Sequence, residues 1–134
     1  MIELDFDKEL IALNIIPKKI LIAEDDIINV FLLERILRPL NFEVIVAADG
    51  VEAISKFKQF NFDLILMDIY MPNMNGIEAS IIIREISKTI PIIVISAAVL
   101  NTENLIKETG VNYFMAKPIE VYSFKKLLHK IFLS

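Results

Sequence analysis

Short apolar runs alternate with amphipathic segments along almost the whole chain, and this order constrains the fold more than any other feature. Such an alternation is typical of a parallel sheet covered by helices on both faces. The apolar runs that we predict as strands are residues 20–23, 44–46, 64–67, 92–95 and 113–116. The amphipathic segments that we predict as helices are residues 28–37, 51–59, 77–87, 101–108 and 121–132. The sequence therefore predicts an α/β domain with a doubly wound five-stranded parallel sheet and five helices.

Composition limits both the size of the fold and its partners. A chain of 134 residues that is 55% hydrophobic can build one domain with a real core, but it is too short for two ordinary domains. The net charge of −4 argues against a nucleic-acid-binding surface. The absence of cysteine excludes disulfides and thiolate metal sites, and no apolar run is long enough to cross a membrane. We expect a cytoplasmic domain that contacts neither nucleic acid nor membrane.

Residues 1–17 precede the alternating pattern. Pro17-Lys18-Lys19 is a natural boundary before the first strand, so we expect a domain over residues 18–134 and an N-terminal extension or linker over residues 1–17. The extension is an extra helix, a linker remnant or a frayed tail.

Polar residues follow four of the predicted strands. They are Glu24-Asp25-Asp26 after the first strand, Asp68 after the third, Ser96 after the fourth and Lys117-Pro118 after the fifth. Parallel strands present their carboxyl ends at one edge of a sheet, so these side chains can converge there. Neighbouring carboxylates repel each other unless a cation joins them, and oxygen ligands of this kind favour Mg²⁺. With that ion and Lys117 balancing the charge, Asp68 is a candidate nucleophile toward phosphorus.

The motifs ILIAEDD, LILMDIYMPNMNG, VISAA and FMAKP occur in an order and spacing that resemble those of response-regulator receiver domains, the phosphoryl-accepting modules of two-component signalling. The similarity covers roughly residues 18–133. It implies a flavodoxin-like sheet with strand order 2-1-3-4-5. It also implies a histidine kinase or a histidine phosphotransfer protein as partner, and the chain resembles receivers that are attached to hybrid sensor histidine kinases.

The resemblance also implies a role for individual residues. Asp68 would accept the phosphoryl group, and Lys117 would pair with the phosphoryl oxygens. The Mg²⁺ ligands would be Glu24, Asp25, Asp68 and the backbone carbonyl of Tyr70. Ser96 and Phe114 would be the switch residues. The small Ala97 and Ala98 would leave room for the phosphoryl oxygens. The Lys117-Pro118 step would favour a cis peptide bond. Two positions depart from the commonest pattern, because Glu24 stands where Asp is more frequent and Phe114 lacks the hydroxyl of the usual Tyr.

Several alternatives remain open at this stage. Glu24, Asp25 and Asp26 could cap the first of the five helices, and Asp26 is the best suited to capping. A haloacid-dehalogenase-type phosphohydrolase would also use a strand-end Asp and Mg²⁺, but it needs a second Asp where this chain has Tyr70. A third possibility is an interaction module that works without phosphorylation. We expect the only histidine, His129, to lie at the surface and not to donate a phosphoryl group.

The run Ile81-Ile82-Ile83 cannot face the sheet with all three side chains, because the helical repeat turns them to different sides. We consider two explanations, namely a partner surface or a cover formed by residues 1–16. A homodimer is also possible through the face formed by residues 101–108, the fifth strand and the last helix.

Overall fold

Among the described residues, five parallel strands form one sheet in the order β2-β1-β3-β4-β5, and six α-helices pack around it. The computed structural model describes residues 5–97 and 102–134. The strands are β1 (Lys19–Ala23), β2 (Glu43–Ala47), β3 (Leu64–Asp68), β4 (Ile92–Ser96) and β5 (Tyr113–Ala116). The helices are α1 (Phe6–Leu13), α2 (Ile27–Leu37), α3 (Gly50–Gln59), α4 (Gly76–Ile86), α5 (Thr102–Thr109) and α6 (Val121–Leu133), with a 3₁₀ turn at Arg38–Leu40. The predicted strand order and the five predicted helices are confirmed; the predicted start of α5 at Asn101 lies outside the described residues.

Alternate side chains of the strands enter two separate apolar cores. In β1, Ile20 and Ile22 belong to the core on the side of α1, α2 and α6, whereas Leu21 and Ala23 belong to the core on the side of α3 and α4. All four are buried, because β1 is a central strand with helices on both faces of the sheet. The apolar runs of the sequence are continuous because helices cover both faces of the sheet.

The additional helix, α1, packs against α6. Its Phe6 and Leu10 side chains are buried in the core that also contains Phe124 of α6. At its surface, Asp7 Oδ1 lies 2.8 Å from the Nζ of Lys125. The sequence left the structure of this segment open, and the segment is an extra helix over residues 6–13. The domain boundary at residues 17–18 stays a prediction.

Residues 5–16, the described part of the N-terminal segment, do not form the proposed cover over the three isoleucines of α4. α1 contributes to the core on the opposite face of the sheet from α4, so it does not reach them. Ile83 is fully buried, Ile82 is half-buried and Ile81 is exposed, as the helical repeat requires. Ile81 is therefore the member of this run that remains at the surface.

A glycine brings α4 close behind the end of β3. The Gly76 amide donates to the Ile69 carbonyl at 2.8 Å, and a Cβ at residue 76 would lie only 2.0 Å from the Asp68 carbonyl oxygen. Only glycine fits this approach without a shift of the backbone. Gly110 follows α5 with φ +75°, a left-handed conformation that is common directly after a helix and that glycine adopts without strain. Among the residues that the structure describes, no helix is long and apolar enough to cross a membrane.

Candidate functional site

Three acidic side chains meet at the carboxyl edge of the sheet. Glu24 and Asp25 directly follow β1, and Asp68 is the last residue of β3, the neighbouring strand. One carboxylate oxygen of each residue lies within 4.8 Å of the others. Glu24 and Asp68 are 3% and 6% exposed, whereas Asp25 is exposed to solvent. The convergence that the sequence predicted is therefore present, and one side of the cluster is open.

Lys117 lies across the same edge, at the end of β5. Its Nζ donates to Glu24 Oε1 at 2.7 Å and lies 3.3 Å from Asp68 Oδ1. Its backbone amide donates to the Ser96 carbonyl at 2.9 Å, which anchors the residue to β4. One ammonium group therefore stands against two buried carboxyl groups.

The pKa values of the two buried carboxyl groups, Glu24 and Asp68, are shifted in opposite directions. Burial, together with the neighbouring Glu24 carboxylate, raises the pKa of Asp68 to about 7. Burial alone would also raise the pKa of Glu24, but hydrogen bonds with Asp68 and Lys117 hold this pKa below its usual value. Burial works against the charged form of Lys117, yet its contacts with the two acids raise its pKa. One ammonium group is thus insufficient to keep both carboxyl groups fully ionised at neutral pH.

The donor set fits a hard divalent cation. All three acidic side chains offer oxygen ligands, which Mg²⁺ prefers. Glu24 Oε2 is buried and has no hydrogen-bond partner among the described residues. A buried oxygen without a partner costs free energy, and a cation at the open side of the cluster would satisfy it.

The remaining predicted site residues lie around this cluster. Ser96 is buried at the end of β4, the strand next to β3. Tyr70 follows Asp68 by two residues, and 61% of its surface is exposed. Phe114 is half-buried in β5 and packs on the core shared with α3 and α4. The Lys117-Pro118 peptide bond is cis, as expected. Ala97 is exposed, and Ala98 lies outside the described residues.

Other polar residues near the site have roles that differ from metal binding. Asp26 caps α2, since its Oδ1 accepts a hydrogen bond from the Ile28 amide at 2.9 Å, as predicted. The side chain of Asn29, in the first turn of α2, also helps to lower the pKa of Glu24. The sequence pattern did not indicate this role for Asn29, because an asparagine in the first turn of a helix is an ordinary polar residue there. His129 lies on α6, where it contacts Glu9 of α1.

A second missed pair lies in the loops beside the cluster. Asn73 Nδ2 donates to Asp49 Oδ2 at 2.7 Å and so joins the loop after β3 to the start of α3. The dipeptides Asp49-Gly50 and Asn75-Gly76 are typical of turns ahead of helices, but nothing in the sequence indicates that these loops contact each other.

Comparison with known proteins agrees with this geometry. Residues 20–131 match the family model of the response regulator receiver domain. Hybrid signal transduction histidine kinase I of Dictyostelium discoideum is 37% identical over an alignment that covers 92% of this chain and 7% of that protein. The chain therefore spans only a small part of the length of this relative.

Two solved structures extend the comparison. The receiver domain of a Pseudomonas aeruginosa sensor histidine kinase, solved with a magnesium ion coordinated in its active-site cleft, is 30% identical with a TM-score of 0.80. The match covers 88% of this chain and 99% of that one. The receiver domain of a Saccharomyces cerevisiae response regulator, crystallised with a histidine phosphotransfer protein, is 26% identical with a TM-score of 0.80, over 87% of this chain and 89% of that chain.

Fold, site and family match agree on one class of protein, the signalling domains of two-component phosphorelays. The chain belongs to the response regulator receiver domain family.

Proposed function

We propose that Asp68 is the phosphoryl acceptor of this receiver domain and that Mg²⁺ binds beside it. The observation that carries the proposal is the cluster in which Glu24, Asp25 and Asp68 place their oxygens within 4.8 Å of one another, with Lys117 Nζ 3.3 Å from Asp68 Oδ1. A nucleophilic carboxylate, two further acidic ligands and a fixed ammonium group are the parts that phosphoryl transfer to an acid requires.

The chain's residues divide the chemistry between them. A carboxylate oxygen of Asp68 attacks the phosphorus of a phosphohistidine, so that an O–P bond forms while the P–N bond breaks and the leaving imidazole takes a proton. Glu24, Asp25, Asp68 and the Tyr70 carbonyl would hold the ion, which supplies positive charge to the phosphoryl oxygens. Lys117 moves from the carboxylates to a phosphoryl oxygen, and Ser96 hydrogen-bonds another.

The consequence of this modification is a change of conformation. When Ser96 moves toward the phosphoryl group, it vacates space that Phe114 can fill, which shifts an equilibrium between two states of the domain. The face formed by α5, β5 and α6 would carry this change to a partner or to a second copy. Substrate turnover is not part of the proposal, because Tyr70 stands where a dehalogenase-type phosphohydrolase has its second Asp.

The phosphoryl donor would dock on the apolar face of α2. Ile27, Ile28, Phe31 and Leu32 are 80%, 66%, 56% and 54% exposed, which is unusual for four large apolar side chains on two turns of one helix. A cleft of about 230 Å³ adjoins this face and is also lined by Lys117 and Pro118. The apolar surface is therefore continuous with the site. A histidine phosphotransfer protein or a kinase domain fits this position. The related yeast receiver was crystallised with a histidine phosphotransfer protein, which supports this class of partner.

Incubation with Mg²⁺ and acetyl phosphate, followed by intact-mass measurement, tests the acceptor. The wild type should gain one phosphoryl group, and Asp68→Asn should gain none. Asp26→Asn is the matched control, since Asn can still cap α2 and Asp26 lies two residues from Glu24. No Mg²⁺-dependent modification of the wild type, or equal modification of Asp68→Asn, would overturn the proposal.

A further inference from the structure

The loop between β3 and α4 contains Tyr70, whose carbonyl is the only metal ligand of the proposed set that comes from the backbone. This loop lies at the surface, and 61% of Tyr70 is exposed. Asn73 adopts a left-handed conformation with φ +66°, and the Met74 amide donates to the Pro72 carbonyl at 2.7 Å. A surface loop of this kind needs external contacts to hold one carbonyl in a fixed direction.

Those contacts come from the start of α3. Asn73 Nδ2 donates to Asp49 Oδ2 at 2.7 Å, and the Gly50 amide donates to the Met74 carbonyl at 3.0 Å. A Cβ at residue 50 would lie 2.6 Å from the Met74 carbonyl oxygen, so the two backbones approach as closely as a glycine permits. The β3–α4 loop is therefore tied to an element that carries none of the proposed metal ligands.

The two oxygens of Asp49 have separate tasks. Oδ1 accepts from the Glu52 amide at 2.8 Å and caps α3, which leaves Oδ2 for Asn73. Hydrogen bonds from the Glu52 amide and from the Asn73 side chain hold the pKa of Asp49 below its usual value. Helix capping needs only one of these oxygens, so the contact with Asn73 is a distinct interaction.

We propose that Asp49 and Asn73 form a clasp that positions the Tyr70 carbonyl for the divalent cation. Both are positioning residues that act through the loop and not as ligands. The inference rests on the proposed function, because it assumes the Mg²⁺ site that is proposed above. A clasp that orders the loop before the ion arrives reduces the entropy lost on binding, and such outer contacts are worth about tenfold or more in metal affinity.

The test exchanges the donor and the acceptor of the hydrogen bond between Asn73 and Asp49. Asn73→Asp sets two carboxylates against each other and opens the clasp. The double variant Asp49→Asn/Asn73→Asp restores it with exchanged donor and acceptor and has the net charge of the wild type. Asp49→Ser still caps α3 but cannot reach Asn73. For each variant, Mg²⁺ is titrated while amide shifts are followed by NMR, and amide exchange of residues 70–75 is measured without metal.

We expect Asn73→Asp and Asp49→Ser to weaken Mg²⁺ binding about tenfold and to speed amide exchange in the loop, and we expect the double variant to restore both. Charge alone predicts the opposite for Asn73→Asp, since an added carboxylate near the site attracts Mg²⁺ more strongly. Equal or tighter binding by Asn73→Asp would overturn the inference, as would a double variant that binds no better than Asn73→Asp. A wild type that binds no Mg²⁺ would instead refute the metal site itself, together with the clasp.

Discussion

The ammonium group of Lys117 donates a 2.7 Å hydrogen bond to Glu24 Oε1 across the carboxyl edge of the sheet. The two side chains are 20% and 3% exposed, so the pair is largely removed from water. In a buried pair, each charge depends on the other, and removal of one partner costs more than the pair itself contributes. Lys117 thus supplies a positive charge to the cluster, although one ammonium group does not balance both buried carboxyl groups.

Replacement of this lysine should make folding depend on the metal. Without Lys117, the buried Glu24 and Asp68 face each other with no counter-charge, so Lys117→Met should lower the free energy of unfolding by about 2–4 kcal/mol in the absence of metal. Saturating Mg²⁺ should recover more stability in this variant than in the wild type. Urea unfolding with and without Mg²⁺ measures both effects. The exposed Lys126→Met is the control, and an equal gain from Mg²⁺ in all three proteins would contradict the prediction.

The pH dependence of stability should follow from Asp68. Its folded-state pKa is raised from 3.8 to about 7, so between these values the folded protein binds more protons than the unfolded chain. The metal-free protein should therefore lose stability as pH rises through this window, with the loss complete above about pH 7. Asp68→Asn removes the charge and should be more stable than the wild type at pH 8 by about 1–2 kcal/mol.

Urea unfolding in EDTA from pH 5 to pH 8 measures this difference. The slope should be flatter for Asp68→Asn than for the wild type. Mg²⁺ should reduce the wild-type slope, because a bound cation favours the ionised carboxylates. Parallel curves for the wild type and Asp68→Asn would show that Asp68 is not the group responsible.

The apolar face of α2 should affect phosphoryl transfer from a protein donor but not from a small-molecule donor. Phe31 is 56% exposed on this face, and its truncation removes an aromatic contact from the proposed interface. Phe31→Ala should slow transfer from a phosphorylated histidine phosphotransfer protein about tenfold and leave labelling by acetyl phosphate unchanged. Ile86→Ala, at a side chain 49% exposed at the end of α4, is the matched control. Equal loss with both donors would point to damage at the site instead.

Much of the fold and of the site could be predicted because both depend on simple regularities of a parallel sheet. Continuous apolar runs indicate strands that are buried on both faces, and the carboxyl ends of such strands necessarily share one edge. For this reason the sequence alone predicts that Asp68 and Lys117, which are 49 positions apart, lie close together.

The contacts that could not be predicted depend on details that hydrophobic periodicity does not record. The Asn73–Asp49 hydrogen bond joins two loops 24 residues apart and requires a left-handed residue at position 73. The position of α1 is set by pairing with α6 at the other end of the chain, where Asp7 and Lys125 are 118 positions apart. An eight-residue segment is also too short for its periodicity to distinguish a docked helix from a tail.

The docking of α1 leads to a prediction about stability. Leu10 is fully buried in the core that α1 shares with α6, whereas Ile15, just after the helix, is 87% exposed. Leu10→Ala should therefore leave a cavity and lower the free energy of unfolding by about 2–4 kcal/mol, while Ile15→Ala changes it by less than about 0.5 kcal/mol. Urea unfolding of the full chain compares the two. If α1 were a loosely attached tail, Leu10→Ala would behave like Ile15→Ala, because neither side chain would lose buried contacts.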